Sequence, residues 1–229
     1  MKAVILAAGR GKRMDHLTDF CPKSLLEYKG KSLIAHTLDL IPPGCVEIII
    51  VIGYLGDAIR RSIGRVWNSI PVRYVESDMK GTGEALWKAK DFLRDDENFL
   101  VCSADDIYVQ EDVRRLVSDS PSLLVYAVSH GPVSGGRIVI DEKENLVTIV
   151  EGTHQAPFLV SAGMYSLTKD IFNYPLVKIS GRDEYGLPQT LIAYAKEFPV
   201  HLVEATFWRQ IVSSADPVSL PKDFKNFDR

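Results

Sequence analysis

The sequence predicts an α/β fold: a mixed, mostly parallel central sheet with helices on both of its faces, in a Rossmann-like arrangement. Three observations predict it. Short, continuously apolar runs such as Lys2 to Leu6 (KAVIL), Val46 to Ile52 (VEIIIVI) and Phe99 to Cys102 (FLVC) lack the polar alternation of a half-exposed sheet, so both of their faces are buried. Segments with helical spacing separate these runs. A glycine-rich stretch, AAGRGKRM, follows the first run directly.

The elements follow in order. After the first strand, Ser32 to Ile41 has helical spacing and stops at Pro42-Pro43-Gly44. The strand at Val46 to Ile52 leads to a helix near Leu55 to Ile63. A short strand at Val72 to Val75 precedes a helix over Thr82 to Leu93. Phe99 to Cys102 is the next strand, Val109 to Val117 a helix, and Leu123 to Val128 a strand. The second half changes character. Arg137 to Asp141 and Leu146 to Val150 read as a hairpin, and Phe158 to Leu167 as a further strand. Leu187 to Lys196 is a helix with a proline near its start. Short strands at Val200 to Val203 and Phe207 to Ile211 precede a last helix beginning within Asp216 to Leu220. No repeat, low-complexity tract or linker interrupts the 229 residues, so one domain is expected. Residues 1–128 carry the alternating strands and helices, and 129–229 are expected to form a lobe over the sheet's carboxyl edge, where ligands sit in open α/β folds.

Composition narrows the function. A net charge of −3 gives no basic face of the kind that tracks nucleic acid, while leaving room for a small anionic ligand. Three widely spaced cysteines form no CxxC pair, which argues against a zinc site or a disulfide framework. No apolar run reaches membrane-spanning length, and the opening run is too short for a secretory signal, so a cytoplasmic enzyme with no membrane partner is expected. The five histidines are scattered without metal spacing.

AAGRGKRM carries the first functional signal. A glycine-rich turn after a strand offers backbone N–H groups to an anion. A dinucleotide loop needs G-x-G-x-x-G, but Met14 stands where the third glycine belongs. The P-loop spacing G-x-x-x-x-G-K-[ST] is absent. What remains is a loop that approaches a base and triphosphate while Arg13 and Lys23 clamp the phosphates, with a tight turn carrying solvated cations as the alternative.

The run Leu6-Ala7-Ala8-Gly9-Arg10-Gly11-Lys12-Arg13-Met14, followed by Pro22-Lys23, resembles the nucleotidyltransferases that join a nucleoside triphosphate to a sugar 1-phosphate. The head motif is shared with the molybdopterin and methylerythritol cytidylyltransferases. Further matches extend over nearly the whole chain. Gly81-Thr82-Gly83-Glu84-Ala85-Leu86 is similar to the segment that lies against the base, and Leu100 to Asp105 to the strand whose terminal aspartate binds magnesium. Gly136, Glu151 and Ser161-Ala162-Gly163-Met164-Tyr165 resemble the elements of the sugar pocket. Glu184-Tyr185-x-Leu187 and Trp208-Arg209-Gln210-Ile211 resemble the family's Glu-x-x-Leu and Trp-x-Asp-Ile elements.

The resemblance implies a Mg²⁺-dependent enzyme that takes a nucleoside triphosphate, with UTP or dTTP favoured, and a sugar phosphate or similar acceptor, as a monomer or homodimer. Arg13, Lys23 and Asp105 are then catalytic. Leu6, Ala7, Ala8, Gly9, Gly11, Arg13, Glu76, Gly81 and Thr82 bind the nucleotide, and Asp105 and Gln210 the metal. Asp106, Gly136, Glu151, Ser161 and Lys178 bind the acceptor, with Asp106 a rival to Asp105 as metal ligand. Such chemistry suits these residue types. Attack of one phosphate on another brings two anions together, so neutralisation and alignment matter more than a protein nucleophile.

Three departures concern the acceptor and the metal. Gln210 replaces the second metal carboxylate, Gly152 replaces the lysine that would hold the sugar's phosphate, and Gln189 stands where many relatives carry aspartate. Lys178 or Arg182 is left to supply the missing charge. The alternatives are a cytidylyltransferase for a non-hexose phosphate (polyol, amino alcohol or heptose) and a catalytically weak nucleotide-binding module.

Overall fold

A computed structural model describes residues 1–93 and 98–221. The continuously apolar segments of the sequence form the middle of a ten-stranded mixed sheet. Its central strands, Phe99–Ser103, Lys2–Ala7, Ile48–Ile52 and Ile70–Glu76, lie side by side in that order and run parallel. Ile48–Ile52 is buried at every position, which explains its lack of alternation. Strand Phe158–Leu167 pairs antiparallel with Phe99–Ser103. Beyond it lies the hairpin Pro132–Ile140 and Leu146–Gln155, and Ser122–Val128 pairs with it on its other side.

Among the described residues, five α-helices cover the sheet: α1 (Leu33–Leu38), α2 (Gly56–Ile63), α3 (Thr82–Lys88), α4 (Gln110–Ser118) and α5 (Leu187–Ala195). They enclose two apolar clusters. One contains Ile5, Ile50, Cys102 and Met164, and the other Val4, Val51, Val101 and Tyr165. Neighbouring residues of a strand thus feed opposite cores.

The elements differ from expectation chiefly at their ends. α3 stops at Lys88 and gives way to a 3₁₀ turn, Lys90–Phe92. The strand expected over Phe207 to Ile211 shrinks to Trp208–Arg209, because the N–H groups of Ile211 and Val212 donate to the Asp106 and Asp216 carboxylates instead of to a neighbouring strand. Among the described residues no helix begins within 216–220; Val218–Ser219 pairs instead as a strand with Glu27–Tyr28. Asp216 caps the preceding turn by accepting from Val212 and Ser213, and Pro217 has no N–H to give to a helix.

All four central strands end at one edge. From there the chain enters residues 8–11, 53–55, 77–80 and 104–106, so four loops meet where open α/β sheets hold ligands.

Candidate active site

The four loops surround a cavity of about 890 Å³. The first strand delivers Leu6, Ala7, Ala8 and Gly9 to its wall, and the loop continues to Arg13. Gly11 has φ 68°, and a Cβ there would lie 2.8 Å from Lys23 Cβ. Glycine thus serves this loop twice, allowing the left-handed turn and letting the Lys23 stem cross against it.

Lys23 reaches the cavity from a short 3₁₀ turn. Its ammonium donates to Asp105 Oδ2 at 2.6 Å and to the Ile211 carbonyl at 2.5 Å. Asp105 lies two residues past the end of strand Phe99–Ser103 and keeps a part-exposed carboxylate. Arg13 lines the same cavity, exposed and without an ion pair among the described residues.

Asp106 lines the cavity as well, with its carboxylate bonded to the 208–211 segment. It is buried, accepting from Trp208 Nε1 at 3.1 Å and from the Ile211 N–H at 3.3 Å. Burial, with the Asp105 charge beside it, pushes its pKa up to about 7 against the pull of Lys23. Both of its oxygens serve the segment that carries Gln210. Asp106 thus stands at the cavity wall and also tethers the 208–211 segment. Gln210 itself lines the cavity.

Gly81 and Thr82 close the adjoining wall. Gly81 has φ 99°, and a Cβ there would collide with the Tyr185 carbonyl oxygen. Thr82 Oγ1 accepts from the Leu187 N–H at 3.0 Å, so the starts of α3 and α5 are locked together. Across the cavity stand Gly136, Glu151 and Ser161, with Gln189 Nε2 donating to Glu151 Oε1 at 3.2 Å. Ser161 approaches the buried Tyr165 hydroxyl at 3.5 Å, and burial holds that phenol up at about 12.

Two expected site residues lie elsewhere. Glu76 is exposed and pairs with Arg60 of α2 at 2.8 Å, outside the main cavity wall. Lys178 sits in an antiparallel bridge with Tyr185 and pairs with Asp183 at 2.5 Å, also off that wall. Both are drawn away by an oppositely charged partner. Arg182, four residues beyond Lys178, does line the cavity.

The family model for nucleotidyl transferases matches residues 2–208. The chain belongs to that family. Among curated relatives, this nucleotidyl transferase is 30% identical over 201 residues to UTP–glucose-1-phosphate uridylyltransferase AglF of Haloferax volcanii, covering 83% of this chain and 82% of that one. It is 27% identical over 215 residues to the bifunctional protein GlmU of Methanocaldococcus jannaschii, covering 92% of this chain but spanning only 51% of that relative's length. Among solved structures, the inositol-1-phosphate CTP transferase of T. maritima superposes with a TM-score of 0.73 at 20% identity, covering 99% of this chain and 94% of that one. HddC from Yersinia pseudotuberculosis gives 0.69 at 23%, covering 98% and 96%. These two likenesses concern the fold.

Sequence reading of this nucleotidyl transferase missed Glu84 as a structural centre of the site. Its buried carboxylate accepts from Ser77 Oγ at 2.6 Å and from the N–H groups of Asp78 at 3.2 Å and Lys80 at 3.4 Å, folding the loop that borders the cavity. The available signal was its position three residues into α3 from Gly81, where an acidic side chain folds back on the preceding turn.

Proposed function

We propose that this nucleotidyl transferase joins a nucleoside triphosphate, UTP or dTTP by preference, to a sugar 1-phosphate, giving an NDP-sugar and pyrophosphate. The observation that carries the reading is Lys23 held on Asp105 in a cavity that also contains the uncompensated Arg13, with Glu151 and Gln189 on the opposite wall. An acceptor phosphate oxygen forms a bond to the α-phosphorus as the bond to the β-phosphate oxygen breaks, and pyrophosphate leaves. Arg13 and Lys23 neutralise the phosphates, and the loop's backbone N–H groups hold them in line. Glu151 accepts from acceptor hydroxyls, and Arg182 supplies the phosphate contact that Lys178, spent on Asp183, does not.

The residues present fit Mg²⁺ bound mainly through substrate. No group of three or more acidic, histidine or cysteine side chains forms a protein cage among the described residues. Asp105 offers one accessible carboxylate and Gln210 one neutral oxygen at the same cavity, and Mg²⁺ commonly takes one or two protein ligands with phosphates and water. When bound, the ion would screen the triphosphate charge. UTP is favoured by the likeness to AglF, and three free, buried thiols suit the reducing cytoplasm in which we place the enzyme.

The test is pyrophosphate release from a panel of triphosphates crossed with hexose 1-phosphates and polyol phosphates. UTP or dTTP with a hexose 1-phosphate should be fastest. Preference for CTP with a polyol phosphate would replace that reading with a cytidylyltransferase. Triphosphate binding without release from any pair would make the chain a binding module. Gln210→Asp adds a second carboxylate and should lower the Mg²⁺ concentration at half-maximal rate by about tenfold.

A further inference from the structure

The loop expected to carry the triphosphate spans residues 8–19, and one residue outside it, Tyr54, bonds both of its ends, one through its backbone and one through its side chain. Tyr54 lies just beyond strand Ile48–Ile52. Its N–H donates to the Ala8 carbonyl at 3.1 Å, where the loop begins. Its hydroxyl lies 2.9 Å from the Thr18 carbonyl and 2.8 Å from that of Asp19, where the loop ends. One phenolic proton serves these two acceptors in turn. Between the ends, the Arg10 guanidinium sits 5.2 Å from the centre of the Tyr54 ring, within cation–π range.

The preceding residue makes this approach possible. A Cβ on Gly53 would stand 2.8 Å from the Ala8 carbonyl oxygen and 2.8 Å from Met79 Cγ. Only glycine lets the backbone come close enough for the Tyr54 N–H to reach Ala8. Inside the loop, the Thr18 hydroxyl lies 3.2 Å from the Gly11 carbonyl and 3.3 Å from that of Asp15, and Asp15 has an unusual φ of 50°. The tether on Thr18 therefore extends to the turn at Gly11 that supports Lys23.

We propose that Tyr54 is a positioning residue for the triphosphate: it clasps the two ends of the phosphate loop and keeps Arg10 on its ring, so that the loop's N–H groups and Arg13 are aligned before the nucleotide arrives. The proposal rests on the nucleotidyl-transfer reading and deepens its nucleotide half. Preorganisation of this kind lowers the ordering cost of binding, so its loss falls on the nucleotide and spares the acceptor.

Tyr54→Phe removes the hydroxyl and keeps the ring. It should raise the KM for the triphosphate about three- to tenfold, the size of one or two neutral hydrogen bonds. The acceptor KM should stay within about twofold. The thermal unfolding midpoint without ligand should fall by no more than about 2–4 °C, while the upward shift given by UTP shrinks. Trypsin should cut faster after Arg10, Lys12 and Arg13 in the variant, and UTP should slow that cut less than in wild type. Gly53→Ala, which pushes the same clasp away from Ala8, should show the same nucleotide-selective change. An unchanged triphosphate KM and unchanged trypsin rate in both variants would overturn the proposal, as would equal rises in both KM values with a lowered unfolding midpoint. A wild-type protein that shifts with no triphosphate defeats the proposed function itself. A wild-type shift that Tyr54→Phe retains in full defeats only the role of Tyr54.

Discussion

At the scale of single residues, the site depends on where each charge finds its partner. Lys23 is mostly buried, and its ammonium bridges the Asp105 carboxylate and the Ile211 carbonyl. Lys23→Met keeps the stem that packs beside Gly11 and removes the cation. We expect kcat/KM to fall by at least about a hundredfold, the usual scale for one electrostatic contact to a developing transition state, while circular dichroism of the folded protein is preserved. A variant within a few-fold of wild type in steady-state pyrophosphate release would remove Lys23 from the mechanism. Lys23, Asp105 and Arg13 could be picked out in the sequence because each stands at a fixed distance from a strand end or a glycine turn, and the backbone carries it to the cavity. Glu76 and Lys178 could not be placed so, because side-chain direction at a strand end or loop bridge is decided by distant partners, Arg60 for one and Asp183 for the other. Asp106 shows the same limit. Adjacent to Asp105 in sequence, it faces a buried indole 102 positions away.

At the scale of elements, helix α4 supports the segment that reaches the site. Asp112, in its first turn and fully buried, accepts from the N–H groups of Thr206 and Phe207 and from the Thr206 hydroxyl, and pairs with Arg115 at 2.6 Å. This anchors the chain just before Trp208 and Gln210. Burial raises the Asp112 pKa, but these donors outweigh it and leave the net value lowered. A carboxyl with a folded pKa below its unfolded value, about 4, stabilises the protein above that value. The contribution disappears as pH falls through the folded pKa. Asp112→Ala should cost about 3 kcal/mol at pH 7, since several buried donors lose their acceptor. The gap in unfolding midpoint between wild type and Asp112→Asn should narrow between about pH 5 and pH 2, and a gap constant across that range would contradict the ionic role. Elements with continuous apolar runs, such as Ile48–Ile52, were legible because burial on both faces writes itself into composition. The stretch after Phe207 was not, because its backbone donors go to carboxylates contributed by Asp106 and Asp216.

At the scale of the whole molecule, residues 1–128 and the described residues from 129 on share one sheet and both of its cores. Strand Phe158–Leu167 joins them. Its first part meets the hairpin through Val160 opposite Arg137, and its second part pairs Met164 to Leu167 with Cys102 to Phe99. The change of neighbour falls at Gly163, whose φ is 72° and where a Cβ would lie 2.8 Å from Ser103 Oγ. That bend sets the cavity wall of Gly136, Glu151 and Ser161 against the strand leading to Asp105. Each apolar cluster also mixes the halves: Ile5 and Val160 belong to one, Val4 and Ile138 to the other. Neither half can expose its partner without opening both cores, so the chain should unfold as one unit. Val160 is fully buried, and Val160→Ala removes two methyl groups from the second half of the chain, costing about 2 kcal/mol. For a chain of this size that lowers the midpoint by about 4–8 °C. The loss should appear as a displacement of one transition, coincident by far-ultraviolet circular dichroism and by tryptophan fluorescence, to which Trp67 and Trp87 contribute from the first half of the chain and Trp208 from the second. Two separated transitions, with the indole signals of Trp67 and Trp87 left at their wild-type midpoint, would show instead that residues 1–128 hold together without the rest.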